Sequence, residues 1–137
     1  MNDLKILLVD DDPEDRSIAE EAIRKVHNNV SIQLAQNGQE ALKLMDTLFQ
    51  QQSLPNLIVL DVNMPKMTGP EVLRVIKNDE RFNTIPVIIY STSINPYEKD
   101  RCVNLGAHSY ITKPVSYKQS IEVASQFVQL CQEKKPV

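Results

Sequence analysis

Five acids fall within six positions in the stretch "LLVDDDPEDR", directly after an apolar run. Carboxylates this close repel one another, and each favours protonation of its neighbours. Asp12, Glu14 and Asp15 read as the cap and first turn of a helix, where acids complement the positive end of the helix dipole. Asp10 and Asp11 precede that cap, so capping does not account for them. A third acid, Asp61, follows the apolar run "LIVL" in "VLDVNMP". Polar residues also close two other apolar runs: Ser91 and Thr92 after "PVIIY", and Thr112, Lys113 and Pro114 after "HSYI". If Asp10, Asp11 and Asp61 meet, a hard divalent cation relieves their repulsion. Mg2+ takes one or two carboxylates, keeps waters and leaves room for phosphate oxygens. No His or Cys cluster favours zinc. A carboxylate held rigidly beside such a cation can act as a nucleophile and form an acyl phosphate. Lys113 would neutralise further charge, and the Ser91 hydroxyl would hydrogen-bond a phosphoryl oxygen. The chemistry that uses all of them is phosphoryl transfer to Asp61.

Those residues meet only if the chain brings distant segments to one edge. Apolar, β-branched-rich runs predict strands over Leu4–Val9, Val30–Ala35, Asn56–Leu60, Pro86–Ser91 and His108–Thr112. The first, third and fourth are nearly continuous in apolar character, as in strands covered on both faces of a parallel sheet. Helix-period stripes lie between them. They comprise Ile18, Ala22, Ile23 and Val26; Ala41, Leu42, Met45 and Leu48; Val72, Leu73 and Ile76; and Ile121, Ala124, Phe127, Val128 and Cys131. The segment from Pro96 to Leu105 carries the weakest helical pattern. Asp12-Pro13 and Gly69-Pro70 read as N-cap followed by N1, Asn37-Gly38 as a turn into a helix, and Gly106 as a helix stop.

Five βα units in succession predict an α/β doubly wound, flavodoxin-like sheet of five parallel strands in the order 2-1-3-4-5. Ligands of such sheets bind beyond the carboxyl ends of the strands, at the switch point between strands 1 and 3. That edge collects Asp10, Asp11, Asp61, Ser91, Thr92 and Lys113.

The remaining features bound the function. A chain of 137 residues with 42% hydrophobic and 24% charged content reads as one globular domain over residues 1–137, with a core from about 3 to 132. A net charge of −3 and no basic block argue against direct nucleic-acid binding. The apolar runs are too short for a membrane span. "MNDLKILL" has no secretory pattern, and Cys102 and Cys131 show no metal or redox spacing, so a reduced, cytoplasmic setting is expected. The tail "QEKKPV" reads as a frayed end.

Asp10-Asp11, Asp61 with Met64-Pro65 and Gly69, Ser91, and Tyr110 three residues before Lys113-Pro114 together resemble a response-regulator receiver domain of two-component signalling. The resemblance covers nearly the whole chain. It implies that Asp61 is the phosphoacceptor, served by a sensor histidine kinase or a histidine phosphotransfer protein. It implies that Asp11, Asp61 and the backbone carbonyl of Asn63 bind Mg2+ directly, with Asp10 acting mainly through water. It further implies a switch in which Ser91 moves toward the phosphoryl group and Tyr110 turns inward, remodelling the face of helix 4, strand 5 and helix 5. A cis bond between Lys113 and Pro114 is also implied. Such a protein catalyses its own phosphorylation and dephosphorylation and is not a turnover enzyme. The segments "DDDPEDR" and "SYITKPV" resemble small stand-alone regulators that serve phytochrome-type histidine kinases, which often dimerise through the switch face. Two features depart from or qualify the pattern. Ser91 stands where threonine is more frequent in the family, and Asn63 and Ser93 lie near positions that tune hydrolysis of the acyl phosphate. The competing readings are an aspartyl-phosphate hydrolase, which lacks its second acid after Asp61 here, and a receiver that binds partners without phosphorylation.

Overall fold

A computed structural model describes residues 4–133. Each apolar run becomes a strand because its side chains are covered alternately by two helical layers. The elements are β1 (Leu4–Val9), α1 (Pro13–Val26), β2 (Val30–Ala35), α2 (Gly38–Gln50), β3 (Leu57–Leu60), α3 (Gly69–Lys77), β4 (Val87–Ser91), α4 (Pro96–Asn104), β5 (Ser109–Thr112) and α5 (Tyr117–Glu133). The strands form one parallel sheet in the order β2-β1-β3-β4-β5, as expected.

The period-2 alternation of the central strands divides the core in two. Leu7, Val9, Ile58, Leu60, Val87 and Ile89 face α2, α3 and α4, packing on Met45, Leu73, Ile76 and Cys102. Ile6, Leu8, Leu57, Val59, Ile88 and Tyr90 face α1 and α5, packing on Ile23, Phe127, Val128 and Cys131. Burial on both faces explains the unbroken apolar runs of β1, β3 and β4. The edge strands β2 and β5 are more polar and less covered.

Several boundaries shift. Asn56, Pro86 and His108 lie one residue outside their strands, although the backbone of each still bonds at the sheet rim: Asn56 N–H to Lys5 O, Ile58 N–H to Pro86 O, and His108 N–H to Val87 O. Thr68, not Gly69, is the N-cap of α3. Its side chain accepts from Glu71 N–H while the Glu71 carboxylate accepts from Thr68 N–H, a reciprocal capping box. Ile18 is exposed, and the inward stripe of α1 centres on the buried Ala22 and Ile23, flanked by the partly buried Ala19 and Val26. Gly106 does follow α4, with φ +106°, a left-handed conformation that favours glycine. Of the expected frayed tail, Gln132 and Glu133 belong to α5, and residues 134–137 lie outside the described residues.

Candidate functional site

The sheet ladder continues one residue past β1, β3 and β5 and so aims the functional side chains at one edge. Asp10 N–H donates to Ala35 O, Asp61 N–H donates to Val9 O at 2.9 Å, and Lys113 N–H donates to Ser91 O at 2.8 Å. Asp10 and Asp61 are thereby fixed side by side on adjacent strands. Both are buried, whereas Asp11 is exposed.

Carboxylate oxygens of Asp10, Asp11 and Asp61 all lie within 4.8 Å of one another. This is an all-oxygen donor set, open on the Asp11 side, and it suits a hard divalent cation. Asp10 Oδ1 accepts from Asp12 N–H at 2.9 Å, and Asp61 Oδ1 accepts from Val62 N–H at 2.8 Å. Burial, reinforced by Asp10, pushes the Asp61 carboxyl up to about 7, against the opposing pull of Lys113 and the Val62 N–H. Asp61 therefore sits in a place that disfavours its own charge until cationic charge arrives.

Lys113 is the resident counter-charge. Its Nζ donates to Asp10 Oδ2 at 2.7 Å and to Asp15 Oδ2 at 2.9 Å, and lies 3.8 Å from Asp61 Oδ1. Burial alone would lower its affinity for a proton. The hydrogen bonds to Asp10 and Asp15 outweigh burial and hold the ammonium above the ordinary lysine range. The expected cis bond at Lys113-Pro114 is corrected: no described peptide bond is cis. The trans form of an X–Pro bond is intrinsically favoured by about 0.5–1 kcal/mol. Here the lysine reaches the carboxylates and keeps its strand-end hydrogen bond with the trans peptide.

Gly69 sets the loop that follows Asp61. Its N–H donates to Val62 O at 2.8 Å, and a Cβ at this position would collide with the backbone carbonyl of Asp61. The loop between them holds Lys66 at φ +70° and a Met67 N–H to Pro65 O hydrogen bond of 2.7 Å. Asn63, in the same loop, is exposed.

On the other side of the site, Ser91 is buried and its Oγ accepts from Ser93 N–H at 3.1 Å. Thr92 is exposed. Tyr110 is half-buried against the α2–α4 core, and its single O–H is shared between Ser93 O at 3.1 Å and Glu98 Oε2 on α4. Burial and the Glu98 carboxylate raise the phenol above its usual range.

Three residues at the site escaped sequence reasoning. Asp15 contributes to the first turn of α1, as expected, but also pairs with Lys113 across 98 positions of sequence. Arg16 Nη1 donates to Asp10 O at 2.7 Å, fastening the end of β1 to α1. Glu98 anchors Tyr110. The Asp15–Lys113 pair spans 98 positions and exists only once the sheet has closed, while Arg16–Asp10 and Glu98–Tyr110 lie 6 and 12 positions apart, at spacings that no helix or strand period marks.

Residues 6–125 match the family described as response regulator receiver domain. Protein PilG of Pseudomonas aeruginosa is 32% identical over 117 residues, covering 85% of this chain and 81% of the relative. The two-component response regulator ORR1 of Oryza sativa is 33% identical over 119 residues, or 83% of this chain; the chain spans about half the length of that relative, 51%. Among solved structures, the phosphorylated cyanobacterial phytochrome response regulator RcpA superposes with a TM-score of 0.87 at 30% identity, covering 97% of this chain and 96% of that one. The Mn2+-bound form of the response regulator Rcp1 gives 0.79 at 28% identity, with 90% of each chain covered. With its strand order and the placement of its acids, this chain belongs to the response regulator receiver domain family of two-component signalling.

Proposed function

We propose that the protein is a phosphorylation-activated switch in which Asp61 accepts a phosphoryl group from a phosphohistidine of a sensor kinase or histidine phosphotransfer protein. The observation that carries this reading is the convergence of Asp10, Asp11 and Asp61 within 4.8 Å at the switch-point edge of the sheet. Receiver domains act with such histidine-bearing partners, and a phosphorylated phytochrome regulator shares this chain's fold.

In the proposed reaction a carboxylate oxygen of Asp61 attacks the phosphorus. The new O–P bond forms as the P–N bond to the imidazole breaks, and the imidazole leaves with the bonding electrons. Mg2+, held directly by Asp11, Asp61 and the backbone carbonyl of Asn63 and through water by Asp10, would neutralise charge on the carboxylates and the phosphoryl oxygens. The main-chain hydrogen bonds of Asp10 and Asp61 fix the nucleophile and its neighbour, so little reorganisation is required. Lys113 adds a point charge beside Asp61. Ser91, with Thr92 beside it, would turn its hydroxyl to a phosphoryl oxygen and give up the Ser93 N–H. Tyr110 bonds the carbonyl of that same Ser93, so movement of the segment passes to β5 and α4. The resulting change is a population shift driven by interactions present in one state only.

The face that changes would engage a second copy of the chain. Ile94, Tyr97, Val115 and Tyr117 stand exposed at the starts of α4 and α5, with Val115 at 99% exposure. We read the chain as a single receiver domain working in the cytoplasm, without direct contact to nucleic acid or membrane. No described helix is long and apolar enough to cross a bilayer.

The test is transfer of radiolabelled phosphate from a phosphorylated histidine phosphotransfer protein. Label should move to this chain only with Mg2+ present, be released by hydroxylamine as an acyl phosphate is, and be absent from Asp61→Asn. Label retained by Asp61→Asn would refute the assignment.

A further inference from the structure

We propose that Asp15 is a positioning residue: it holds the Lys113 ammonium on the α1 side, away from Asp61, and so keeps the Asp10–Asp11–Asp61 carboxylates open to a divalent cation. This rests on the reading of those carboxylates as a Mg2+ site.

An ammonium has three N–H donors and no acceptor. Lys113 directs one to Asp10 at 2.7 Å and a second to Asp15 at 2.9 Å, while Asp61, at 3.8 Å, lies beyond hydrogen-bond range. The side chains of Lys113, Asp10 and Asp61 are each 10% exposed, and that of Asp15 is 34% exposed. One cation is therefore shared among carboxylates that are mostly withdrawn from water. Among the described residues the Asp61 carboxylate accepts one hydrogen bond, from the Val62 N–H, and Lys113 reaches it only at ion-pair distance. With Asp15 removed, the nearest charged acceptor left for the freed N–H is Asp61. An ammonium seated on Asp61 is a resident competitor for an incoming divalent ion. Asp15, on the first turn of a helix already anchored by the Asp12 cap and by Arg16 on Asp10 O, is placed to prevent that.

A plain alternative is that Asp15 only adds negative charge near the site, attracting Mg2+ from a distance. The two accounts differ in whether Lys113 is required. Isothermal titration calorimetry with Mg2+ on the full, unphosphorylated chain decides between them. The proteins compared are the unaltered chain, Asp15→Ala, Asp15→Glu, Lys113→Gln and the double variant Asp15→Ala/Lys113→Gln, each checked for folding by far-UV circular dichroism. Asp15→Ala should weaken Mg2+ binding about fivefold, the scale of one partly exposed ion pair. Asp15→Glu should restore it. In the Lys113→Gln background, Asp15→Ala should have no further effect. The Lys113 ammonium resonance in a 1H–15N spectrum should move in Asp15→Ala and return in Asp15→Glu.

An equal loss of affinity in both backgrounds, or none in either, would overturn the role of Asp15. Failure of the unaltered protein to bind Mg2+ would overturn the cation site itself, and this inference with it. Binding by the unaltered protein that is unchanged in Asp15→Ala would sink only the inference.

Discussion

Asp61 carries a cost that the rest of the molecule must bear. In the metal-free protein its carboxyl is held up to about 7, first by burial and then by Asp10. The folded state binds this proton more tightly than the unfolded chain, whose aspartate titrates near 3.9. The associated stability is fully present below about pH 4 and is lost as pH rises through 7. Asp61→Asn removes the ionisation and should stabilise the metal-free protein at pH 8 by on the order of 1–3 kcal/mol. Urea unfolding with chelator present reads this, and the advantage should vanish at pH 3.5. An Asp61→Asn protein no more stable than the unaltered chain at pH 8 would count against a strained, cation-seeking Asp61. The acids that set this up were legible in sequence because each ends an apolar run and cannot turn away from the sheet edge. Asp15 was legible only as a helix-start acid. Its pairing with Lys113 depends on the far side of the chain arriving beside it.

At the scale of elements, the junction of β3 and α3 fixes the site. Gly69 is packed against the Asp61 carbonyl so closely that a methyl group has no room, and the obstacle is backbone, which cannot swing aside. Gly69→Ala should destabilise the fold by about 2 kcal/mol or more, the cost of overpacking. Thermal melting by circular dichroism measures the loss. A melting temperature equal to that of the unaltered chain would show that the loop is free to relax. Most elements were readable because both signals are strong: short, nearly unbroken apolar runs on the central strands, and stripes at three- and four-residue spacing on α2, α3 and α5. The α4 pattern was faint because only Cys102 on that helix is fully buried. The reassigned cap of α3 has a different physical origin. Thr68 and Glu71 satisfy each other's backbone donors, a stronger signal than the Gly-Pro pair that follows.

For the whole molecule, the 2-1-3-4-5 order followed from counting βα units and from the burial of the central strands, and the sheet has that order. What the chain assembles with was less accessible, because exposed apolar residues at helix starts do not show as a periodic pattern. If Ile94, Tyr97, Val115 and Tyr117 form a face for a second copy, sedimentation velocity should show a larger species after phosphorylation than before. A monomer in both states would dismiss that face as a self-association surface. The central claim concerns Asp61 and its neighbours acting together on a phosphoryl group. Intact-mass spectrometry after incubation with acetyl phosphate tests it most directly. The account predicts a gain of one phosphoryl group that requires Mg2+ and is absent from Asp61→Asn. An unchanged mass with Mg2+ present, or the same gain in Asp61→Asn, would contradict it.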